Sequence, residues 1–301
     1  MPADQSSVKL SEEQCVEIFR LMVLSRTLDE RIWLLNRQGK AAIVASAQGH
    51  EAAQLGSVWA LRKNIDQFYT YYRDLTVLIA LGMTPTDIML GFMAKAGEPL
   101  SGARQFPLHG AREDLKLVNL SNVVGTQIPQ AVGAALASKM RGEEIVTICY
   151  FGDGAASVGD CHEGMNFASV HQLPVIFFCE NNRYAISVPL EKQMNVSSIS
   201  GRAEGYGMPG VTIDGTDILA VHEATSVASV RARSGQGPTL IEAMVERYLP
   251  HTSDDDDSKY RSKKEIEESK KRDPLKLLGG YLANTGALSQ DLRQEFFDEA
   301  R

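Results

Sequence analysis

The chain has 301 residues, of which 44% are hydrophobic, enough for one large α/β domain or two small ones around a sizeable core. Its net charge of −7, with no basic patch or arginine-rich helix, speaks against nucleic acid as a partner. No apolar run reaches the roughly 18 residues that a membrane span needs, which excludes a helical membrane protein.

The first residues, MPADQSSVKLSEEQ, lack the basic and apolar regions of a secretory signal and the arginines of a mitochondrial presequence. The expectation is a bacterial cytoplasmic protein, or a mitochondrial matrix protein already processed. Cys15, Cys149, Cys161 and Cys179 show no CxxC spacing and read as reduced structural thiols. Residues 11–39 carry apolar side chains at mixed spacings of three and four and predict a long helix. Further helices are predicted over 50–62, 73–82 and 86–95, while 96–119 reads as irregular and polar. TQIPQAVGAALASKMR (126–141) predicts a helix whose small residues allow close packing.

From there the rhythm is strand–helix–strand. EIVTICYFG (144–152), LPVIFFCENN (173–182), PGVTIDG (209–215) and PTLIEAMVERY (238–248) read as strands, with helices over 160–171 and 217–233. Continuous apolar runs mean strands covered on both faces, as in a parallel sheet. Ligands of such sheets sit beyond the carboxyl ends of the strands, where Asp153, Asn182 and His251 fall. Residues 251–274 read as a charged, solvated loop running into a helix, and 275–301 as one or two amphipathic helices.

Three readings of Gly152-Asp153-Gly154 compete. A dinucleotide fingerprint needs GxGxxG, and Ser157 stands where the third glycine belongs; a P-loop needs GK[ST], which is absent. A bare turn is the plainest reading. The third joins both ends of one βαβ unit. Asp153 offers a hard carboxylate oxygen and Asn182 an amide oxygen, half a shell for Mg²⁺ that a diphosphate would complete. Gly154 and Ala155 precede a helix start, where free N–H groups favour an anion.

GDG, then 26 residues, then Asn181-Asn182 resembles the thiamine-diphosphate motif. With YYRD (71–74), SNVVGTQIPQAVGAA (121–135), FGDGAASVGDCHEGMNFA, FFCENNRYAIS and PHTSDDDDSKYRS, the chain resembles the α subunit of the 2-oxoacid dehydrogenases over about residues 15–295. The branched-chain (2-oxoisovalerate) type is most similar. The resemblance implies an α/β three-layer thiamine-diphosphate-binding fold, its mostly parallel sheet flanked by helices. It would be a single domain over 1–301, with an N-terminal helical flank (about 1–95) and a C-terminal helical tail (about 262–301).

By the same resemblance, Mg²⁺ is held by Asp153, Asn182 and the backbone carbonyl of Tyr184. Thiamine diphosphate is bound by Tyr72, Arg73, Asn122, Val124, Gly152, Gly154, Ala155 and His251. Arginine suits a phosphate by charge and bidentate geometry. A potassium site would use Ser121, Thr126 and Gln127. Glu180 stands where some relatives carry a diphosphate-contacting arginine, and Val158 where an acid is common. His251 is the catalytic residue the resemblance implies, taking part in acylation of lipoyl groups, and its ordinary titration range suits proton transfer at neutral pH. Thr252 occupies the place of a serine phosphorylated in mitochondrial relatives.

The motifs all belong to the diphosphate half of such enzymes. The resemblance therefore implies a separate β subunit that supplies the glutamate activating the cofactor, in an α₂β₂ assembly, with helix 126–141 at their interface. The reaction implied is oxidative decarboxylation of a branched-chain 2-oxo acid, with acyl transfer to a lipoylated dihydrolipoyl acyltransferase. A pyruvate or acetoin dehydrogenase α subunit is the near alternative. A non-catalytic nucleotide-binding or scaffold subunit is the alternative of another class.

Overall fold

The structure, a computed structural model, describes residues 9–119 and 122–301. The N-terminal part runs α1 (Glu12–Arg37), α2 (Glu51–Trp59), β1 (Gln67–Thr70), α3 (Leu75–Leu81), α4 (Pro85–Phe92), β2 (Ala111–Arg112) and β3 (Leu117–Asn119). Next come α5 (Gln127–Met140), β4 (Thr147–Gly152), α6 (Gly159–Val170) and β5 (Val175–Asn181). A small hairpin, β6 (Tyr184–Ala185) and β7 (Val188–Pro189), leads through α7 (Leu190–Gln193) to β8 (Gly210–Asp214), α8 (Ile218–Arg233) and β9 (Thr239–Met244). The tail holds α9 (Lys263–Ser269), α10 (Pro274–Thr285) and α11 (Gln290–Ala300).

The helix starts follow local chemistry. Ser11 and Gln14 form a reciprocal capping box at α1, as Thr84 and Asp87 do at α4, where Pro85 takes the first helical position. Asp273 caps α10, which ends at Gly286 with φ of 82°, a left-handed position suited to glycine.

Among the described residues seven strands form one sheet, in the order β2-β3-β1-β4-β5-β9-β8. All pairs are parallel except β2 with β3 at the edge. Alternation along the strands divides the core into two layers. Ile176 and Phe178 of β5, with Ile148 and Tyr150 of β4, pack in a cluster with α1, α2, α3, α8 and α10. Val175, Phe177 and Cys179, with Cys149 and Phe151, pack in the second cluster with α5 and α6. The three-layer α/β fold expected from the sequence is the one observed.

Two expectations need correction. The N-terminal flank is not wholly helical: β1 lies inside it and pairs with both β3 and β4 near the middle of the sheet. The segment 96–119 is not irregular throughout, since β2 and β3 extend the sheet there. QFYT and LVN are too short to show a period, and only pairing with β4 and β1 makes them strands. Residues 275–301 resolve into two helices, and α10 and α11 contribute Leu278, Leu282 and Phe296 to the first core cluster.

β1 connects towards β3 on one side while β4 connects towards β5 on the other. Between them lies the point where the winding of a doubly wound sheet reverses and a crevice opens beyond the strand ends.

Candidate functional site

A cavity of about 460 Å³ opens at this reversal. Chain leaves β1 into Tyr71–Arg73, β4 into Gly152–Asp153, β5 into Asn182 and β9 towards His251, so four parallel strands deliver side chains to one place. Tyr72, Arg73, Asn122, Val124, Gln127, Gly152, Asp153, Gly154, Ala155, Asn182, Tyr184 and His251 all line it. Among the residues singled out from the sequence, Thr126 lies off this lining; its hydroxyl donates to the Val123 carbonyl at 2.9 Å. Ser121 lies outside the described residues.

Asp153 and Asn182 are held by neighbours. Asp153 is 1% exposed, and burial pushes its carboxyl above the usual carboxylate range. Gln193 Nε2 donates to its Oδ2 at 2.8 Å, leaving Oδ1 for another partner. The two asparagines divide their work. Asn181 Nδ2 donates to Glu242 on β9 at 2.7 Å and its Oδ1 accepts from Arg183 N, which braces the turn. Asn182 faces the cavity, its Oδ1 accepting only a 3.3 Å bond from Tyr184 N. Gly154 is required by close approach, since a Cβ there would stand 2.9 Å from the Ala185 Cβ. Among the described residues no group of three His, Cys, Asp or Glu forms a closed metal shell. The donors present are one carboxylate, one amide oxygen and backbone carbonyls, which suits a hard cation sharing its shell with phosphate oxygens.

Arg73 brings positive charge to the same cavity, with Arg247 nearby. Arg73 is 1% exposed and bonds only neutral groups: Nη1 donates to Ser46 O at 2.6 Å, and Nη2 to His251 O at 3.1 Å and to His251 Nδ1 at 3.3 Å. Its Nε has no partner. Arg247 is 2% exposed and likewise pairs with no carboxylate, donating to Ile186 O, Tyr184 O and the Tyr260 hydroxyl. Burial first, then the nearby Arg73 charge, pushes its pKa down to about 10. A buried guanidinium without a counter-ion is costly in a protein interior, and an anion in the cavity beside Arg73 relieves that cost. A diphosphate with its divalent cation fits these walls.

His251 sits against Arg73, with Arg247 nearby. Its ring meets Tyr72 edge-on at 5.9 Å, and its backbone N–H donates to Asp255 at 2.9 Å. Because Arg73 donates to Nδ1, the ring proton resides on Nε2. Burial, then Arg73 and Arg247, pushes the imidazole down to about 3. The expectation that it titrates near neutrality is therefore corrected: without an anion alongside, His251 is a neutral donor and not an acid.

Sequence reasoning missed Arg247, Gln193 and the loop brace. Tyr260 OH donates to Asp255 and accepts from Arg247 Nη2 at 3.1 Å, and Arg261 Nη2 donates to Arg247 O at 2.6 Å. Arg247 follows β9, so the rule that drew attention to His251 could have flagged it. Glu180 makes no phosphate-side contact: it is wholly buried behind the cavity wall. A second cavity of about 180 Å³, lined by Ile43, Phe92, Phe106, Pro107 and His109, adjoins the first and shares Tyr72, Asn122 and His251 with it.

Fold and site together define a mostly parallel α/β protein whose polar cavity lies at the carboxyl ends of its strands, with donors of the kind that suit a hard cation and an anion. The chain belongs to the dehydrogenase E1 component family, whose profile matches residues 19–301; this family depends on thiamine diphosphate. It is 51% identical over 290 residues to the 2-oxoisovalerate dehydrogenase subunit alpha of Bacillus subtilis (strain 168), covering 96% of this chain and 88% of that one. It is 41% identical over 293 residues to a pyruvate dehydrogenase E1 component subunit alpha of Staphylococcus aureus, covering 97% and 76%. A 3-methyl-2-oxobutanoate dehydrogenase subunit alpha of Mycobacterium tuberculosis is 38% identical over 292 residues, covering 97% and 77%.

Proposed function

We propose that this chain is the α subunit of a branched-chain 2-oxo acid dehydrogenase, decarboxylating a substrate such as 2-oxoisovalerate and passing the acyl group to a lipoyl arm. The observation that carries the reading is the buried, counter-ion-free Arg73 lining one cavity with Asp153 and Asn182, with a second such arginine, Arg247, nearby. A nucleotide-binding scaffold with no chemistry has no need of an imidazole set against a buried, unpaired guanidinium. The likeness to the Bacillus subtilis subunit supports the substrate class.

In this reading Asp153, Asn182 and the Tyr184 carbonyl hold Mg²⁺. Arg73, with Tyr72, Asn122 and the backbone of Gly152, Gly154 and Ala155, holds the diphosphate, and Val124 supports the body of the cofactor. Thiamine diphosphate, when bound, supplies the electron sink for loss of CO₂. Gln193 keeps the Asp153 carboxylate oriented. His251, its Nδ1 occupied by Arg73, donates from Nε2 to an anion beside it and so steadies negative charge during acyl transfer. Gln127 Oε1, buried and without a partner, supports a K⁺ site with Thr126 and Ser121. The apolar cavity of Ile43, Phe92 and Phe106 suits an alkyl side chain.

The carboxylate that activates the cofactor belongs in this reading to a β subunit, in an α₂β₂ assembly served by a lipoylated dihydrolipoyl acyltransferase. The exposed α5 residues Gly133 and Met140 support a packing surface there. The four free buried cysteines support a reducing, cytoplasmic setting. The test is reconstitution with the β subunit. Calorimetry is expected to give Mg²⁺-dependent thiamine diphosphate binding that Arg73→Gln weakens, and turnover is expected to favour 2-oxoisovalerate over pyruvate. Preference for pyruvate would move the assignment to the pyruvate type, and binding indifferent to Arg73 would overturn it.

A further inference from the structure

The turn that carries Tyr72 and Arg73 is bonded on its inner side to a buried polar network. Tyr71 N donates to Asp74 Oδ2 at 2.8 Å, which closes the turn on itself. Gln54, from α2, clamps it: Nε2 donates to Arg73 O at 3.1 Å and to Asp74 Oδ1 at 3.2 Å, and Oε1 accepts from Thr76 N at 3.1 Å. Behind both stands Glu180 of β5. Its Oε2 accepts from His50 Nδ1 at 2.5 Å, from Gln54 Nε2 at 3.0 Å and from the Tyr71 hydroxyl at 3.0 Å. His50, Gln54, Asp74 and Glu180 are each 0% exposed. Glu180 sits in register with Gly152 of β4 and stands two residues before Asn182.

We propose that Glu180, with His50 as its donor, is the positioning residue of this site: one carboxylate oxygen ties the Arg73-bearing turn to the Asn182-bearing strand end, so that the phosphate side and the metal side are held as one rigid body. This rests on the reading that Arg73 and Asn182 hold the cofactor. A buried carboxylate oxygen that gathers three donors is replaced poorly by an amide, whose neutral oxygen is the weaker acceptor. Groups behind metal and phosphate ligands act by fixing ligand orientation and rarely by contact, and their loss shows in ligand affinity.

The test uses the assembled complex with its β subunit, and the probe is thiamine diphosphate with Mg²⁺, read by calorimetry. Glu180→Gln is expected to weaken binding by about 10- to 100-fold, the range for loss of such supporting groups, while kcat at saturating cofactor stays within about twofold. In an Arg73→Gln background the same substitution is expected to cost less than about twofold, because it acts through that arginine. Affinity unchanged in Glu180→Gln, or an equal loss in both backgrounds, overturns the proposal. If Glu180→Gln does not assemble, His50→Gln takes its place, with a smaller loss expected and the same dependence on Arg73; unchanged affinity there overturns it equally. Should Arg73→Gln alone leave affinity unchanged, the cofactor reading itself fails, and that result is separate from either outcome for Glu180.

Discussion

Replacing His251 with glutamine is expected to flatten the acid limb of stability in the ligand-free protein. The imidazole is held neutral in the fold, with its pKa moved from 6.5 to about 3 by burial and by Arg73 and Arg247. The unfolded chain keeps an ordinary histidine. A base whose folded pKa is depressed leaves stability untouched above the unfolded value, and stability falls as pH drops from about 6.5 towards 3, because only the unfolded state takes up the proton. At pH 5.0 that uptake is worth RT ln(1 + 10^1.5), about 2 kcal/mol, and about 1 to 2 kcal/mol after allowing for the ring's partial contact with solvent. The figure is insensitive to the folded value so long as it stays well below 5. Urea unfolding of wild type and His251→Gln at pH 7.5 and pH 5.0 reads it directly. Wild type is expected to lose about 1 to 2 kcal/mol more than the variant over that interval. Equal losses would refute the account of a neutral, cation-flanked imidazole. With Mg²⁺ and thiamine diphosphate bound, the difference is expected to shrink, since an anion beside the ring favours the protonated form.

Asp153→Asn keeps the bond from Gln193 feasible but removes the hard anionic ligand, so the Mg²⁺ concentration needed for half-maximal cofactor binding is expected to rise by at least about tenfold in a calorimetric titration. Gly154→Val is expected to abolish cofactor binding while the apo-protein still folds, since even a Cβ would stand 2.9 Å from the Ala185 Cβ at the cavity wall; near-wild-type affinity would count against a close backbone approach there. Gly49→Ala is a stability test away from the chemistry. The residue has φ of 94°, and a Cβ would lie 2.2 Å from Glu246 O, so a loss of at least about 2 kcal/mol in urea unfolding is expected.

Much of the site was legible in the sequence because its residues sit at fixed offsets from strong strand signals. TICYFG and VIFFCEN are buried along nearly their whole length and read as strands without help, so Asp153 and Asn182 could be placed at carboxyl ends from the pattern alone. Long α1, with its capping box, was equally plain. The order of motifs along the chain, and with it the family, is likewise a property of sequence. Tertiary structure decided what depends on neighbours distant in sequence. QFYT becomes a strand only by pairing with LVN and TICYFG, and so it carries Tyr72 and Arg73 to the reversal point instead of leaving them in a helical flank. The protonation of His251 was misread because a pKa is set by burial and by Arg73 and Arg247, charges whose proximity no spacing reveals. Glu180, legible only as a departure from an arginine, proves to be a buried brace whose partners, His50 and Tyr71, lie 130 and 109 residues away. Local patterns specify which groups stand at strand ends; packing alone specifies which charges are dehydrated together, and that dehydration gives the cavity its affinity for an anion.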